Sequence, residues 1–244
     1  MVYKKTSFLD HRSSRRFFGR RHGRRLRIGR ERLLRDMLPK LQIVLANGPL
    51  SLDGLFSCNQ RTFWLEVGFG GGEHLAAQAK AHPTIGFIGC EPFINGVARL
   101  LTIIGQENLQ NIRIYSDDAR LLMDCIEDSK ISRAFVLFPD PWPKKRHAGR
   151  RFVNPDNLDT LSRILCDGAE VRVASDEMGY IRWTLKHFRA HPDFEWIARS
   201  AKDWRERPFD WPPTRYESKA LVEGRSCIYL KFRRRQRTNT SKSE

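Results

Sequence analysis

The sequence predicts an α/β domain with a mostly parallel sheet, helices on both faces and an antiparallel edge strand. Three observations carry that expectation. From Thr62 onward, short apolar runs alternate with stretches of helical spacing, as parallel sheets with crossover helices require. The first run ends in a glycine-rich turn, Gly68-Phe69-Gly70-Gly71-Gly72, which opens a helix. Acids stand at the ends of successive runs, where open sheets of this kind bind ligands.

The elements follow in order. Residues 1–30 are rich in Arg and Gly and are expected to be mobile until a partner orders them. Leu33, Leu34, Met37, Leu38 and Leu41 have helical spacing across Glu31 to Leu45, with Pro39 as a kink or break. Asn47 to Gln60 reads as a polar linker. Strands are expected at Phe63–Val67, Gly86–Cys90, Ile112–Tyr115, Arg133–Phe138 and Ala169–Ala174. Helices are expected at His74–Ala81, Phe93–Ile104, Ala119–Ile126, Asn157–Leu165 and Met178–Ala190. Ser226–Phe232 alternates and carries Lys, so it reads as the antiparallel edge strand. The chain divides into a basic arm and helix (1–60), a central domain (61–233) and a basic tail (234–244).

Charge narrows the possible partners. Residues 1–35 hold 13 Lys+Arg against 2 acids, and residues 231–244 hold 6 against 1. Residues 36–230 carry 25 of each and are neutral. A neutral body with two cationic ends suits a polyanion, and nucleic acid is the expected partner. The arginine run has no broad apolar face, which disfavours a membrane surface, and no stretch has the length and apolarity of a span. The five cysteines (Cys58, Cys90, Cys125, Cys166, Cys227) are scattered without a CxxC pair, so neither a zinc site nor a disulfide framework is expected. Reduced thiols and a start without a secretory core fit a cytoplasmic protein. His187 and His191 lie four apart but precede Pro192 and have no third ligand near, so no metal is assigned.

The chemistry concentrates in a few segments. Phe138-Pro139-Asp140-Pro141-Trp142-Pro143-Lys144-Lys145-Arg146-His147 sets a carboxylate at a strand end, then a stiff proline turn, an indole and a cationic cluster. Such a loop can hold a nucleobase beside a phosphate backbone. In Leu65-Glu66-Val67-Gly68-Phe69-Gly70, Gly68 and Gly70 let a ligand approach the backbone. The dinucleotide pattern GxGxxG fails, because Glu73 stands where its third glycine belongs. Glu66 would also repel a pyrophosphate but suits an ammonium or a sulfonium. Glu91 lies 23 residues past Gly68, near the spacing at which an acid takes ribose hydroxyls, and Asp118 follows the third strand. Clustered carboxylates at one sheet edge call for a cationic ligand. That pattern looks like a Rossmann-like, class I S-adenosylmethionine-dependent methyltransferase.

The stretches LEVGFGGGEH, GCEPF, SDDARLL, LFPDPWPKKRHAGRRF, VASDEMGY and PPTRYE occur in that order. Together they closely resemble the bacterial tRNA (guanine-N7-)-methyltransferase family, TrmB, from about Arg16 to Phe232. The resemblance implies transfer of a methyl group from S-adenosylmethionine to N7 of a guanine in the variable loop of tRNA, with no obligate protein partner evident. It places Glu66, Glu91, Asp118 and Asp140 among the cofactor-site acids, beside Gly68 and Gly70, with Asp140 as the catalytic acid. Lys144, Asp176 and Thr214-Arg215-Tyr216-Glu217 match substrate contacts, and Arg146, His147, Arg150 and Arg151 match an RNA-facing loop. Some members carry His at Pro143. Asp140 and Glu217 are expected to accept from the guanine N1–H and amino group, with Trp142 or Tyr216 covering a face of the base.

Other classes fit less well. An amino-methylating enzyme would want a second proline before the aromatic of Asp140-Pro141-Trp142. An oxidoreductase is opposed by Glu66 and Glu73. A basic RNA-binding protein with a vestigial fold has no reason to bear the repulsion of acids at four strand ends.

Overall fold

The computed structural model describes residues 17–46, 48–56 and 60–238. Among the described residues two helices come first, α1 (Ile28–Asp36) and α2 (Leu38–Leu41). The central elements are β1 (Thr62–Val67), α3 (Glu73–Ala81), β2 (Ile85–Cys90), α4 (Ile94–Glu107), β3 (Ile112–Tyr115), α5 (Ala119–Cys125), β4 (Ile131–Leu137) and α6 (Pro155–Ile164). The chain continues through β5 (Leu165–Ser175), α7 (Met178–Ala190), β6 (Phe194–Trp196), α8 (Lys202–Arg205), α9 (Arg215–Val222) and β7 (Ile228–Arg234).

Among the described residues, seven strands form one sheet in the order β3-β2-β1-β4-β5-β7-β6. β1 to β5 pair in parallel, β7 runs antiparallel to β5, and β6 runs antiparallel to β7. Successive residues of a central strand enter opposite cores: Leu65 and Val136 pack on one face, Trp64 and Phe135 on the other. The strand order reverses between β1 and β4, which opens the crevice at their carboxyl ends.

Three expectations are corrected, and the basic tail shows a docking that the sequence did not signal. Ser226–Phe232 is antiparallel but lies one strand in from the edge; the edge is β6, whose three residues are too few to display a period. The helix expected over Glu31 to Leu45 starts earlier and breaks at Met37, because Pro39 lacks the N–H that would continue the ladder. Within the supposed polar linker, Leu52 and Phe56 are core residues, and Leu50 makes a bridge to Ile126. The basic tail is tied down as far as Arg237: Arg234 closes β7 with a buried side chain against Asp167, and Arg237 bonds Asp167 and the Ser162, Arg163 and Leu165 carbonyls. The expected mobility of residues 1–16, like the last six residues and Cys58, lies outside the described residues. Residues from Phe17 onward are docked, as described below.

Candidate active site

A cavity of about 480 Å³ opens at the carboxyl edge of β1, β2 and β4. Gly68, Gly70, Glu91, Asp118, Asp140, Trp142, Arg150, Arg151 and Tyr216 are among its lining residues. Topology explains the convergence, since each acid ends or follows a parallel strand of the same sheet.

The glycine loop is the floor. Gly68 and Gly70 take positive φ of 70° and 57°, a backbone that side chains rarely adopt. The Gly70 N–H donates to Glu91 Oε2 at 2.7 Å, and the Phe93 N–H donates to Oε1 at 2.9 Å. Glu91 thereby joins the loop to the turn after β2. Its carboxyl is pushed up to about 7 by burial, opposed by those two N–H groups and raised further by the charges of Asp140 and Glu66. The neutral acid is favoured in the fold, so its stabilising contribution is complete below the ordinary value near 4.5 and is lost as pH rises through 7. Glu91→Gln should therefore gain stability relative to wild type between pH 5 and 8, by roughly 2–4 kcal/mol at most. Thermal melts across that range test this; a constant difference between the two proteins would refute it.

Asp118 is the N-cap of α5, accepting from the Arg120 N–H at 3.0 Å and pairing with the Arg120 guanidinium. It lines the cavity. Its neighbour Asp117 faces away to meet Arg21 at 2.7 Å.

The Asp140 loop is strained and held. Phe138 and Trp142 have positive φ of 49° and 40°, at a cost of about 1–3 kcal/mol each for a non-glycine residue. Three prolines fix φ between and after them. The Phe138 N–H donates to the Ala174 carbonyl at 2.7 Å. Arg151 supplies the remaining restraint. Its Nε donates to the Pro141 carbonyl and its Nη2 to the Trp142 carbonyl, each at 3.0 Å, while its guanidinium lies 4.7 Å from the Trp183 ring centroid. Arg151 was expected to face RNA. In the structure it is buried at the cavity lining and braces the loop's carbonyls, which need a forked donor. Arg151→Met should lower stability by about 2 kcal/mol, read as a drop in Tm, and Lys should not restore it. An unchanged Tm would show that the loop holds without this brace.

The remaining candidates divide. Arg150 lies 4.3 Å from the Phe18 ring centroid and 5.0 Å from that of Trp142, at the mouth of the cavity. Lys144 precedes, and Arg146 and His147 lie within, a 3-10 turn over Lys145–Arg150, outside the cavity lining. Desolvation and the cations Arg150, Arg146 and Lys144 push the His147 imidazole down. Asp176 lies outside the cavity, where Arg225 bonds it. Of the TRYE segment, only Tyr216 reaches the cavity, its ring resting against Gly70.

Glu217 does not present its carboxylate to the cavity. It is buried and forms a capping box with Thr214 at the start of α9, accepting from Tyr229 and pairing with Arg207 at 3.1 Å. Glu217, expected to meet guanine, here belongs to the scaffold that sets Tyr216 in place, outside the lining of the cavity. Arg215 is exposed, 5.7 Å from the Tyr216 ring centroid.

Sequence reasoning missed the arm as a wall of the site. Phe17, Phe18, Gly19 and Arg20 line the cavity. The Asn95 side chain fastens the arm, accepting from the Gly23 N–H at 2.8 Å and donating to the Arg24 carbonyl at 2.7 Å. Two adjacent phenylalanines in an arginine run were the available signal; Asn95 offered none. Gly96 was missed too, and α4 approaches the glycine loop at that residue.

A mostly parallel sheet in this order, with a glycine floor and acids along its carboxyl edge, defines a Rossmann-like methyltransferase. The solved structures of the 16S rRNA methyltransferase KamB and the antibiotic-resistance methyltransferase Kmr have the same fold. They align with TM-scores of 0.51 and 0.50 at 12% and 16% identity, covering 73% and 74% of this chain and 90% of each of theirs. The family model described as "Putative methyltransferase" matches residues 60–230. A tRNA (guanine-N(7)-)-methyltransferase of Rhodospirillum rubrum is 54% identical over 91% of this chain and 89% of its own length. One from Chelativorans sp. is 51% identical over 91% and 96%. The chain belongs to the tRNA (guanine-N7-)-methyltransferase family.

Proposed function

We propose that the protein transfers a methyl group from S-adenosyl-L-methionine to N7 of a guanine in the variable loop of tRNA. The observation that carries this reading is the acid-rimmed cavity at the sheet's carboxyl edge, in a chain about half identical to enzymes of that name.

The residues fit the donor. Gly68 and Gly70 give a backbone cradle; Glu91 would accept from ribose hydroxyls and Asp118 from the adenine amino group. Glu66 and Asp140 add negative charge suited to a ligand with a sulfonium and an ammonium. When bound, S-adenosylmethionine supplies an electrophilic methyl. Guanine N7 carries an in-plane lone pair that is free at neutral pH, so no base has to remove a proton. The purine becomes cationic as the new bond forms. Asp140 is therefore an orienting and charge-stabilising acid, accepting from the guanine N1–H and amino group. Trp142 and Tyr216 offer aromatic faces beside it.

Because an ionised carboxylate accepts from ribose hydroxyls more strongly than a neutral acid, donor affinity should fall as pH drops below 7, by at most about tenfold per pH unit, and Glu91→Gln should flatten that dependence. Calorimetric titration from pH 5.5 to 8.5 measures it. A wild-type profile as flat as the variant's would remove Glu91 from the donor site.

Residues 61–233 form the methyl-transfer unit in this reading, and the basic segments 1–60 and 234–244 add contacts to the tRNA backbone. Arg150 in the cavity lining, with Lys144 and Arg146 before and within the same short turn, would neutralise phosphates where the base must be exposed. Among the described residues, no helix is long and apolar enough to cross a membrane. In this reading the protein works on tRNA in the cytoplasm, away from membranes, with no obligate protein partner evident. The test is transfer of labelled methyl from S-adenosylmethionine to unmodified tRNA transcripts carrying guanine or adenine at the variable-loop target. Label on the guanine transcript alone, with borohydride- and aniline-induced cleavage there, supports the reading. Tight tRNA binding without label on either would leave an RNA-binding protein.

A further inference from the structure

Glu66 sits on β1 opposite Gly89 of β2 and Phe135 of β4, on the face covered by α3. Only 3% of it is exposed, and its charge is felt at Glu91. A carboxylate buried so deeply needs a donor, and a rotamer left free would scatter its charge over several positions. The donor is His74, in the first turn of α3. Its Nδ1 lies 2.7 Å from Glu66 Oε2, and its ring meets Phe135 edge-on at a centroid distance of 4.7 Å. His74 is itself 3% exposed, and its Nε2 is buried without a hydrogen-bond partner among the described residues. A hydrogen on Nε2 would be an orphaned donor, so these surroundings place it on Nδ1, where it points at the carboxylate.

We infer that His74 is a positioning residue for the methyl donor: by donating from Nδ1 it locks Glu66 in one orientation and so fixes, beside Glu91 at the cavity, the negative charge that favours the donor's ammonium group. The inference rests on the functional reading above. It explains why a histidine stands, almost fully buried, in a helix whose inner face is otherwise Leu75, Ala76 and Ala79. His74 touches neither substrate and acts through Glu66.

The test is calorimetric binding of S-adenosylmethionine to wild type, His74→Leu, His74→Asn, His74→Gln and Glu66→Gln, and to the His74→Leu/Glu66→Gln double variant. Asn sets an amide N–H near the Nδ1 position, whereas Gln carries it to the Nε2 side. Loss of a donor to a buried charged group predicts that His74→Leu and His74→Gln weaken binding about 10- to 100-fold. His74→Asn should stay within about threefold of wild type, since the donor is retained. In the Glu66→Gln background, His74→Leu should cost less than about twofold more, because the two act as one unit. With saturating donor and tRNA, kcat should change little while KM for the donor rises. Nitrogen-15 spectra of wild type should report a hydrogen on Nδ1 of His74. Equal weakening by Leu and Asn, or the same loss with and without Glu66, would make His74 a packing residue and overturn the inference. Should wild type fail to bind S-adenosylmethionine, the functional reading falls first and takes this inference with it. If His74→Leu does not fold, the contrast between Asn and Gln decides.

Discussion

Asp140→Asn should lower turnover about 100- to 1,000-fold, the loss of roughly 2.7–4 kcal/mol of transition-state stabilisation expected when a preorganised electrostatic group is neutralised. The carboxamide keeps the shape of the side chain and can still accept one hydrogen bond. What it loses is the negative charge that meets a ring becoming cationic. Affinity for S-adenosylmethionine should stay close to wild type, because Glu91, Asp118 and the glycine floor are untouched. The strained loop should also hold, since Arg151 and the Phe138–Ala174 bond grip its backbone rather than the Asp140 side chain. The expected signature is a fall in kcat with little change in donor Kd, read in single-turnover assays beside calorimetry. Unchanged turnover would remove Asp140 from the reaction.

Gly96→Ala should nearly abolish donor binding. Gly96 is the third residue of α4, and a Cβ there would lie 2.1 Å from the Gly70 carbonyl oxygen. Both partners are backbone, so no side chain can swing aside. Either α4 retreats from the sheet or the glycine loop lifts, and lifting it breaks the 2.7 Å bond from Gly70 N–H to Glu91. Overpacking of a rigid contact costs about 1–3 kcal/mol and sometimes more, so a lowered Tm is expected with a donor affinity reduced about 100-fold or beyond. Gly105→Ala, on the same helix with open space around its position, is the control and should be neutral or slightly stabilising. Wild-type melting and affinity in Gly96→Ala would mean that the loop and α4 are not in the contact described here.

The two residues differ in how readily they could be read beforehand. Asp140 was legible because strand ends, prolines and an acid are local signals, and parallel topology makes local signals converge at one sheet edge. For the same reason Glu91, Asp118 and the glycine turn could be listed before any fold was known, and β1 to β5 could be bounded to within a few residues. Gly96 was illegible, since its importance lies in a contact across 26 positions with a carbonyl that has no sequence signature. Asn95 was hidden likewise, its partners being backbone atoms of Gly23 and Arg24.

Surroundings were harder to read than residue type. Arg151 and Glu217 were expected at ligands because charge in a motif suggests solvent or substrate; in the structure both are buried and bond backbone and neighbours, Arg151 while it lines the cavity. Charge alone does not say which way a side chain turns; the unsatisfied carbonyls of a strained loop and the open N–H groups of a helix start decide it. Leu52 and Phe56 make the complementary point, for two apolar residues in a polar stretch were enough to pin it to the core. The short β6 fell below the length at which alternation can be recognised.

The central claim is that this cavity methylates guanine at N7, and it is tested most directly by removing that one atom from the substrate. A tRNA transcript bearing 7-deazaguanine at the variable-loop position keeps the N1–H and amino group that Asp140 would hold but has no lone pair to receive a methyl. It should bind about as tightly as the guanine transcript and accept no label from S-adenosylmethionine, while the guanine transcript is labelled in full. Equal labelling of the two transcripts would contradict the assignment, placing the methyl on another atom or another nucleotide.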